Sequence, residues 1–128
     1  MPLRIGQVAI DFPIGLGALA GYSDLPYRLI CRSLGAPYCI TEAMLDRLVL
    51  LDGKLNKRLV RLDPADHPVA GQIMGAEPET MAEAARVLDR MGFDIIDLSR
   101  IGLLQCFFNG LTPIHFAPEF RSFWQSLN

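Results

Sequence analysis

The order of apolar runs and amphipathic segments predicts an α/β fold with parallel strands. Short apolar runs at Ile14 to Ala18, Pro37 to Thr41, Val69 to Gly75 and Phe93 to Ser99 alternate with helical patterns that start at about residue 24, at Ala43 and at Glu77. A strand, helix, strand order of this kind implies parallel strands joined by right-handed crossovers. The composition agrees, with 51% hydrophobic and 20% charged residues in a chain of 128. That is a globular balance, and the length is that of one domain.

Leu3 to Ile10 alternates loosely between apolar and polar positions before Asp11-Phe12-Pro13 interrupts it, which predicts a small hairpin. The run Ile14 to Ala18 then breaks into small residues. Gly17, Ala20 and Gly21 allow a sharp turn or a close approach to a flat ligand. Ser23 or Asp24 can accept from the free amides of a first helical turn, and Pro26 is tolerated there. Leu25, Leu29, Ile30 and Leu34 fall on one face of the helix that follows, and Gly35 is placed to end it.

Pro37 to Thr41 has the β-branched and aromatic content of a buried strand ended by Glu42. Glu42 suits the positive end of a helix dipole. Ala43 to Leu51 reads as a helix with Met44, Leu45, Leu48 and Leu51 in register, stopped by Asp52-Gly53. Lys54, Lys57, Arg58 and Arg61 follow on an irregular connection and read as solvated surface, and Asp63 to Pro68 reads as a turn in which His67 has no role. Val69 to Gly75 is apolar except for Gln72, whose amide needs partners if buried. Glu77-Pro78-Glu79 opens the best-defined helix, with Met81, Ala84, Ala85, Leu88 and Met91 as its buried stripe and Gly92 at its end.

Several classes are excluded. The formal net charge of −2 does not announce a nucleic-acid binder. Cys31, Cys39 and Cys106 form no metal-ligand spacing with His67 or His115, and their lack of pairing suits a reducing cytoplasm. No signal segment and no apolar run of membrane-spanning length is present, so a soluble cytoplasmic protein is expected.

Three separated motifs carry a resemblance. Leu16 to Arg28 (LGALAGYSDLPYR), Thr41-Glu42, and Gln72-Ile73-Met74-Gly75 occur in an order and at a spacing that resemble the N-terminal part of the tRNA-dihydrouridine synthases. The likeness runs from about Ile5 to Leu98. Ala18 and Leu19 stand where the family pattern has proline and methionine, a change of little consequence if main-chain atoms make the contact.

The resemblance implies a partial TIM (β/α)8 barrel, about the first four βα units, since a full barrel needs roughly 250 residues. Residues 1–99 would be the N-terminal half of that FMN-binding barrel, with the hairpin capping its floor. It implies FMN as cofactor and NAD(P)H as reductant, for the reduction of uridines in tRNA to 5,6-dihydrouridine with a cysteine as proton donor. Ala18, Leu19 and Ala20 match the family's flavin loop, Gln72 its flavin-contacting amide, and Glu42 a site-shaping position. No metal is implied.

The resemblance stops near residue 99. The family continues with a pattern like Asp-x-Asn-x-Gly-Cys-Pro, whereas Asp97-Leu98 is followed here by Ser99-Arg100-Ile101-Gly102. Cys106 comes four positions late and without a following proline, so no catalytic acid is assigned. From Arg100 on, the chain carries five of its seven phenylalanines and its only tryptophan, Trp124, against Arg100, Glu119 and Arg121 as its only charged residues. This divergent, irregular aromatic C-terminal tail either forms a short helix over Pro118 to Leu127 or arises from a change of reading frame near residue 99, and the abruptness favours the second.

The later Lys and His contacts, the phosphate site and the helical tRNA-binding domain are also missing. The chain alone is therefore expected to be inactive, to bind tRNA weakly or not at all, and to be open to self-association through its sheet edges. Two other readings remain open at this stage: another FMN-barrel oxidoreductase, and a non-catalytic interaction module or pseudoenzyme.

Overall fold

The computed structural model describes residues 3–51 and 54–100. The chain opens with an antiparallel hairpin of β1 (Leu3–Ile5) and β2 (Val8–Ile10), turned at Gly6 with φ +57°. Then come α1 (Leu25–Ser33), β3 (Cys39–Ile40), β4 (Met44–Leu45), α2 (Asp46–Leu50), α3 (Lys54–Leu59), β5 (Val69–Gly75), α4 (Pro78–Met91) and β6 (Ile95–Arg100).

The second sheet is parallel throughout. β3 and β4 lie along one edge of β5, and β6 lies along the other. The expected first strand is reduced to a single bridge, Leu16 to Cys39, with Leu16 donating to the Tyr38 carbonyl at 2.8 Å and accepting from the Ile40 amide at 3.1 Å. Pro13 lacks a donor, and Gly15 and Gly17 flank Leu16, so little favours a longer ladder there. Gly15 is required for another reason: a Cβ at that position would sit 2.6 Å from the Tyr38 ring.

Register assigns the faces. Val69, Ile73, Ile96 and Leu98 point toward α4, where Val69 and Ile73 form a core with Met44, Val49, Ala84, Ala85, Leu88 and Phe93. On the other face, Ala70 packs with Tyr38, Ile40, Ile95 and Ile10 of the hairpin. The expected hairpin is present, and its Ile10 packs near the N-terminal ends of β5 and β6, while β1 is exposed. Burying a sheet on both faces is what makes β5 read as a near-continuous apolar run.

The sequence pattern holds best at α4. Met81, Ala84, Ala85 and Leu88 are buried as expected, and Gly92 ends the helix at φ +98°; Met91 is exposed instead of buried. Elsewhere the structure corrects three expectations. The stretch from Ala43 is not one helix, because Met44 and Leu45 first pair with Ile73 and Met74, leaving α2 only Asp46–Leu50 and exposing Leu45 and Leu51. The connection after residue 53 is the helix α3, and the expected stop at Asp52-Gly53 lies outside the described residues. In α1 the expected face holds only in part: Leu25 is buried and Leu29 half-buried, but Ile30 and Leu34 are 60% and 82% exposed, and Arg28 is buried instead.

Arg28 is buried because it is neutralised. Its Nε and Nη2 lie 2.8 and 2.7 Å from Asp66 Oδ2, and both residues are essentially inaccessible to solvent. Its remaining donors reach the Ser23 carbonyl at 2.9 Å and the Arg61 carbonyl at 3.0 Å. Arg32 supports the same turn from α1, donating to the carbonyls of Asp66, Pro68 and Ala36. Asp66 sits in a 3-10 turn, Pro64–Asp66, capped by Asp63. What reads as mere turn chemistry therefore holds the counter-ion of a helix 38 residues earlier. His67 also has a partner: its Nδ1 lies 2.7 Å from Asp94 Oδ2, which accepts the Val69 amide at 2.7 Å as well.

The tail readings, including Cys106, Trp124 and a helix over Pro118 to Leu127, lie outside the described residues. Among the described residues no helix is long and apolar enough to cross a membrane.

Removing one member of a buried ion pair leaves an uncompensated charge, which costs about 3–5 kcal/mol. Asp66→Ala is expected to lose that much in urea unfolding. The double variant Arg28→Met, Asp66→Leu should recover part of the loss, because it strands neither member of the pair, while the Ser23 and Arg61 carbonyls lose their donor.

Candidate functional site

Polar groups gather on the face of the sheet away from α4, from the middle of β5 and β6 toward their C-terminal ends. The C-terminal end of a parallel α/β sheet collects the βα loops, where sites are built. Three local devices shape it: a bulge, a closed turn and a cross-strand pair.

The bulge separates β3 from β4. Ile40 stands opposite Ala70 and Met44 opposite Ile73, so the chain takes four steps against three on β5 and carries one extra residue. Thr41 repairs the ladder. Its amide donates to the Ala70 carbonyl at 2.9 Å, and its hydroxyl accepts the Gln72 amide at 3.1 Å while donating to the Glu42 carbonyl at 3.0 Å. A bulge of this kind re-aims a side chain. Here that side chain is Glu42, whose Oε2 accepts the Gly21 amide at 2.8 Å.

The turn it reaches is closed on itself. Tyr22 and Ser23 amides both donate to the Leu19 carbonyl, at 3.0 and 2.9 Å, and the buried Ser23 hydroxyl accepts the Leu19 amide at 2.5 Å. Gly21 has φ +82°, a conformation that strains any residue with a Cβ. The amides of Ala18 and Ala20 take no part in these bonds. Ala18 is half-buried, while Ala20 and Leu19 are exposed.

α1 begins where the turn ends, and Asp24 is its cap, accepting the Tyr27 amide at 3.2 Å. Arg58 of α3 pairs with the other Asp24 oxygen at 3.0 Å. Arg58 is thus a partner to the loop's exit and not merely part of a solvated patch. The Arg58 hydrogen bond, and next the Tyr27 amide, hold the Asp24 carboxyl below its usual range.

Gln72 and Asp97 face each other across β5 and β6, and Gln72 Nε2 donates to Asp97 Oδ2 at 2.6 Å. Both are half-buried, on the same face as Met74 and Ser99. Deeper on that face, burial, with the Asp97 carboxylate adding to it, pushes the Tyr38 phenol up to about 12. Tyr38 is accordingly a neutral floor residue. Burial also raises the Cys39 thiol, which packs within the sheet as an inert side chain.

The sequence-derived residues are thus linked in series beside the middle of β5. Ala18, Leu19 and Ala20 lie in the loop after the first bridge, Glu42 ties that loop to the next strand, and Thr41 ties that strand to Gln72. Sequence reasoning misses Asp97, although a lone acid in β6 mirrors Gln72 one strand away. Among the described residues no group of His, Cys, Asp and Glu could hold a metal ion.

These features define an α/β protein whose parallel sheet carries a small-residue loop, a carboxylate tie and a cross-strand amide–carboxylate pair close together. The sequence model of the dihydrouridine synthase (Dus) family matches residues 16–100, and the chain belongs to that family. The tRNA-dihydrouridine synthase B of Pseudomonas aeruginosa is 32% identical over 97 residues, and that of Escherichia coli K12 is 33% identical over 99. A probable tRNA-dihydrouridine synthase of Rickettsia conorii is 30% identical over 99 residues. Each comparison covers 76% of this chain but only 29 to 30% of the relative, so the chain spans about three tenths of their length.

Glu42 and Asp24 give two measurable expectations. Glu42→Ala should speed solvent exchange of the Gly21 amide about ten-fold, the worth of one hydrogen bond, and Glu42→Gln, which keeps an acceptor, should restore most of the protection. Because the folded-state pKa of Asp24 is depressed, its contribution is present above the unfolded carboxyl value and is lost as pH falls through the folded one. The stability gap between wild type and Asp24→Asn should therefore be widest above about pH 5 and close on acidification, as read by thermal melts from neutral to strongly acid pH.

Proposed function

We propose that this chain is the cofactor-side opening segment of a tRNA-dihydrouridine synthase barrel, with Ala18, Leu19, Ala20 and Gln72 forming part of an FMN site. The observation that carries the reading is the junction of three family motifs beside the middle of β5: the 18–21 loop, Glu42 gripping Gly21, and Gln72 on the adjacent strand.

The residues present suit a flat heteroaromatic ring. The Ala18 and Ala20 amides stay outside the loop's internal bonds, small side chains let a ring approach the backbone, and Gln72 is half-buried with its amide braced. FMN, when bound, supplies the hydride that reduces the uracil double bond, with NAD(P)H as the source of reducing equivalents. This chain's share is positional. Ser23 and Glu42 hold the loop's shape, the loop amides and Gln72 would orient the ring, and the apolar cluster of Ile10, Tyr38, Ala70 and Ile95 would help to exclude water.

Residues 1–99 are proposed as the N-terminal half of the barrel and residues 100–128 as a divergent tail. The family match ends at Arg100, where the composition changes and no Gly-Cys-Pro sequence follows. The proton donor, the remaining cofactor contacts and the tRNA-binding surface would thus come from sequence this chain does not carry. The chain by itself is proposed not to turn over tRNA. Its natural setting is proposed to be the cytoplasm.

A segment exchange tests the reading. Residues 16–100 placed in the Escherichia coli synthase B, in lieu of the matching segment, should give a yellow protein that forms dihydrouridine in tRNA with a reduced nicotinamide. Gln72→Ala in that chimera should weaken FMN binding about ten-fold, the loss of one hydrogen bond. A folded chimera that is colourless and inactive would refute the proposal.

A further inference from the structure

Gln72 stands out as a polar side chain in a buried strand whose two ends are not equivalent, and one neighbour decides which end faces out. An Asn or Gln amide carries a donor end and an acceptor end of nearly equal shape, and only its partners decide between them. The partner here is Asp97. Its Oδ2 lies 2.6 Å from Gln72 Nε2, and a carboxylate oxygen accepts and does not donate. The opposite orientation would set the Gln72 carbonyl against the carboxylate, acceptor against acceptor. The strand register makes the pair unavoidable, since Gln72 and Asp97 are direct cross-strand neighbours.

We propose that Asp97 is a positioning residue that locks the polarity of the Gln72 amide, so that the site offers Oε1 to a ligand and selects a ring edge bearing an N–H. Among the described residues Oε1 has no protein partner, while Nε2 is committed to Asp97. The complementary ligand is a planar heteroaromatic ring with an imide-type N–H in its plane. This rests on the FMN reading above and deepens it: the isoalloxazine edge at N3 has that chemistry, with a donor between two carbonyls. The acceptor of the pair, not the ring, then fixes which way the ring is seated. Asp97 itself need not touch the ligand.

Two measurements on the full chain separate this proposal from the reading it rests on. The first needs no flavin. Solvent exchange of the Gln72 side-chain amide, followed by NMR, should be at least ten-fold faster in Asp97→Ala than in wild type; equal exchange in the two proteins would overturn the proposal. The second compares FMN with N3-methyl-FMN by quenching of flavin fluorescence. Wild type should prefer FMN by ten-fold or more. Asp97→Asn, which keeps the shape and a hydrogen bond but permits either amide polarity, should narrow that preference to three-fold or less. Undiminished preference in Asp97→Asn would overturn the proposal even if the exchange result held. If wild type quenches neither flavin, the FMN reading fails for this chain, and the exchange measurement decides the role of Asp97 alone. Circular dichroism of each variant checks that it is folded.

Discussion

A buried guanidinium governs the arrangement of the loops. Arg28 spends its donors on Asp66 and on the carbonyls of Ser23 and Arg61, so one side chain joins the exit of the 18–23 turn, the first helix, the segment after α3 and the turn before β5. Two charges removed from water require close geometry and full hydrogen bonding to break even. The geometry is close at Asp66 Oδ2, which the 3-10 turn brings to Arg28, whereas Asp66 Oδ1 is buried without a hydrogen-bond partner among the described residues and lies 3.8 Å from Arg32 Nε. The pair is better understood as a device that specifies one arrangement than as a large source of stability.

From that anchor the site follows by short steps. Ser23 closes its turn on Leu19, Asp24 starts the helix, and Glu42 crosses to Gly21 because a bulge supplies one residue more than the ladder needs. Beyond the bulge the chain returns to register, so that Met44 reaches the α4 core. Close fit on that side is strict. At Gly75 a Cβ would meet Asp46 and Met81, and at Gly71 it would meet Leu88 and Phe93. The α4 side is thus filled to contact, whereas the opposite face ends in half-buried polar groups. The sheet is thus asymmetric, tight on one face and partly polar on the other.

Much of this was legible in the sequence. β5 and α4 were readable because their patterns are long and local, and Gly92 carries its own conformational signature. The hairpin was readable for similar reasons. What escaped depended on distant partners. Nothing local says that Met44 and Leu45 pair as a strand, since the pairing is imposed by Ile73 and Met74 and displaces a helical pattern. Nothing local says that Arg28 points inward, since its counter-ion lies 38 residues away, and hydropathy therefore extends the buried face from Leu25 and Leu29 to the exposed Ile30 and Leu34. Gln72 could be singled out as a polar residue in an apolar strand, but its partner became evident only from the register of β6.

The central claim is that the backbone of residues 18–20 and the Gln72 amide face one flat ring toward the C-terminal ends of the strands. The most direct measurement is an amide chemical-shift map of the chain as FMN is added. Saturable shifts should concentrate at Ala18, Leu19, Ala20, Gly21, Gln72 and the Gln72 side-chain amide. Shifts confined to the α4 face, or none at any FMN concentration, would contradict the account.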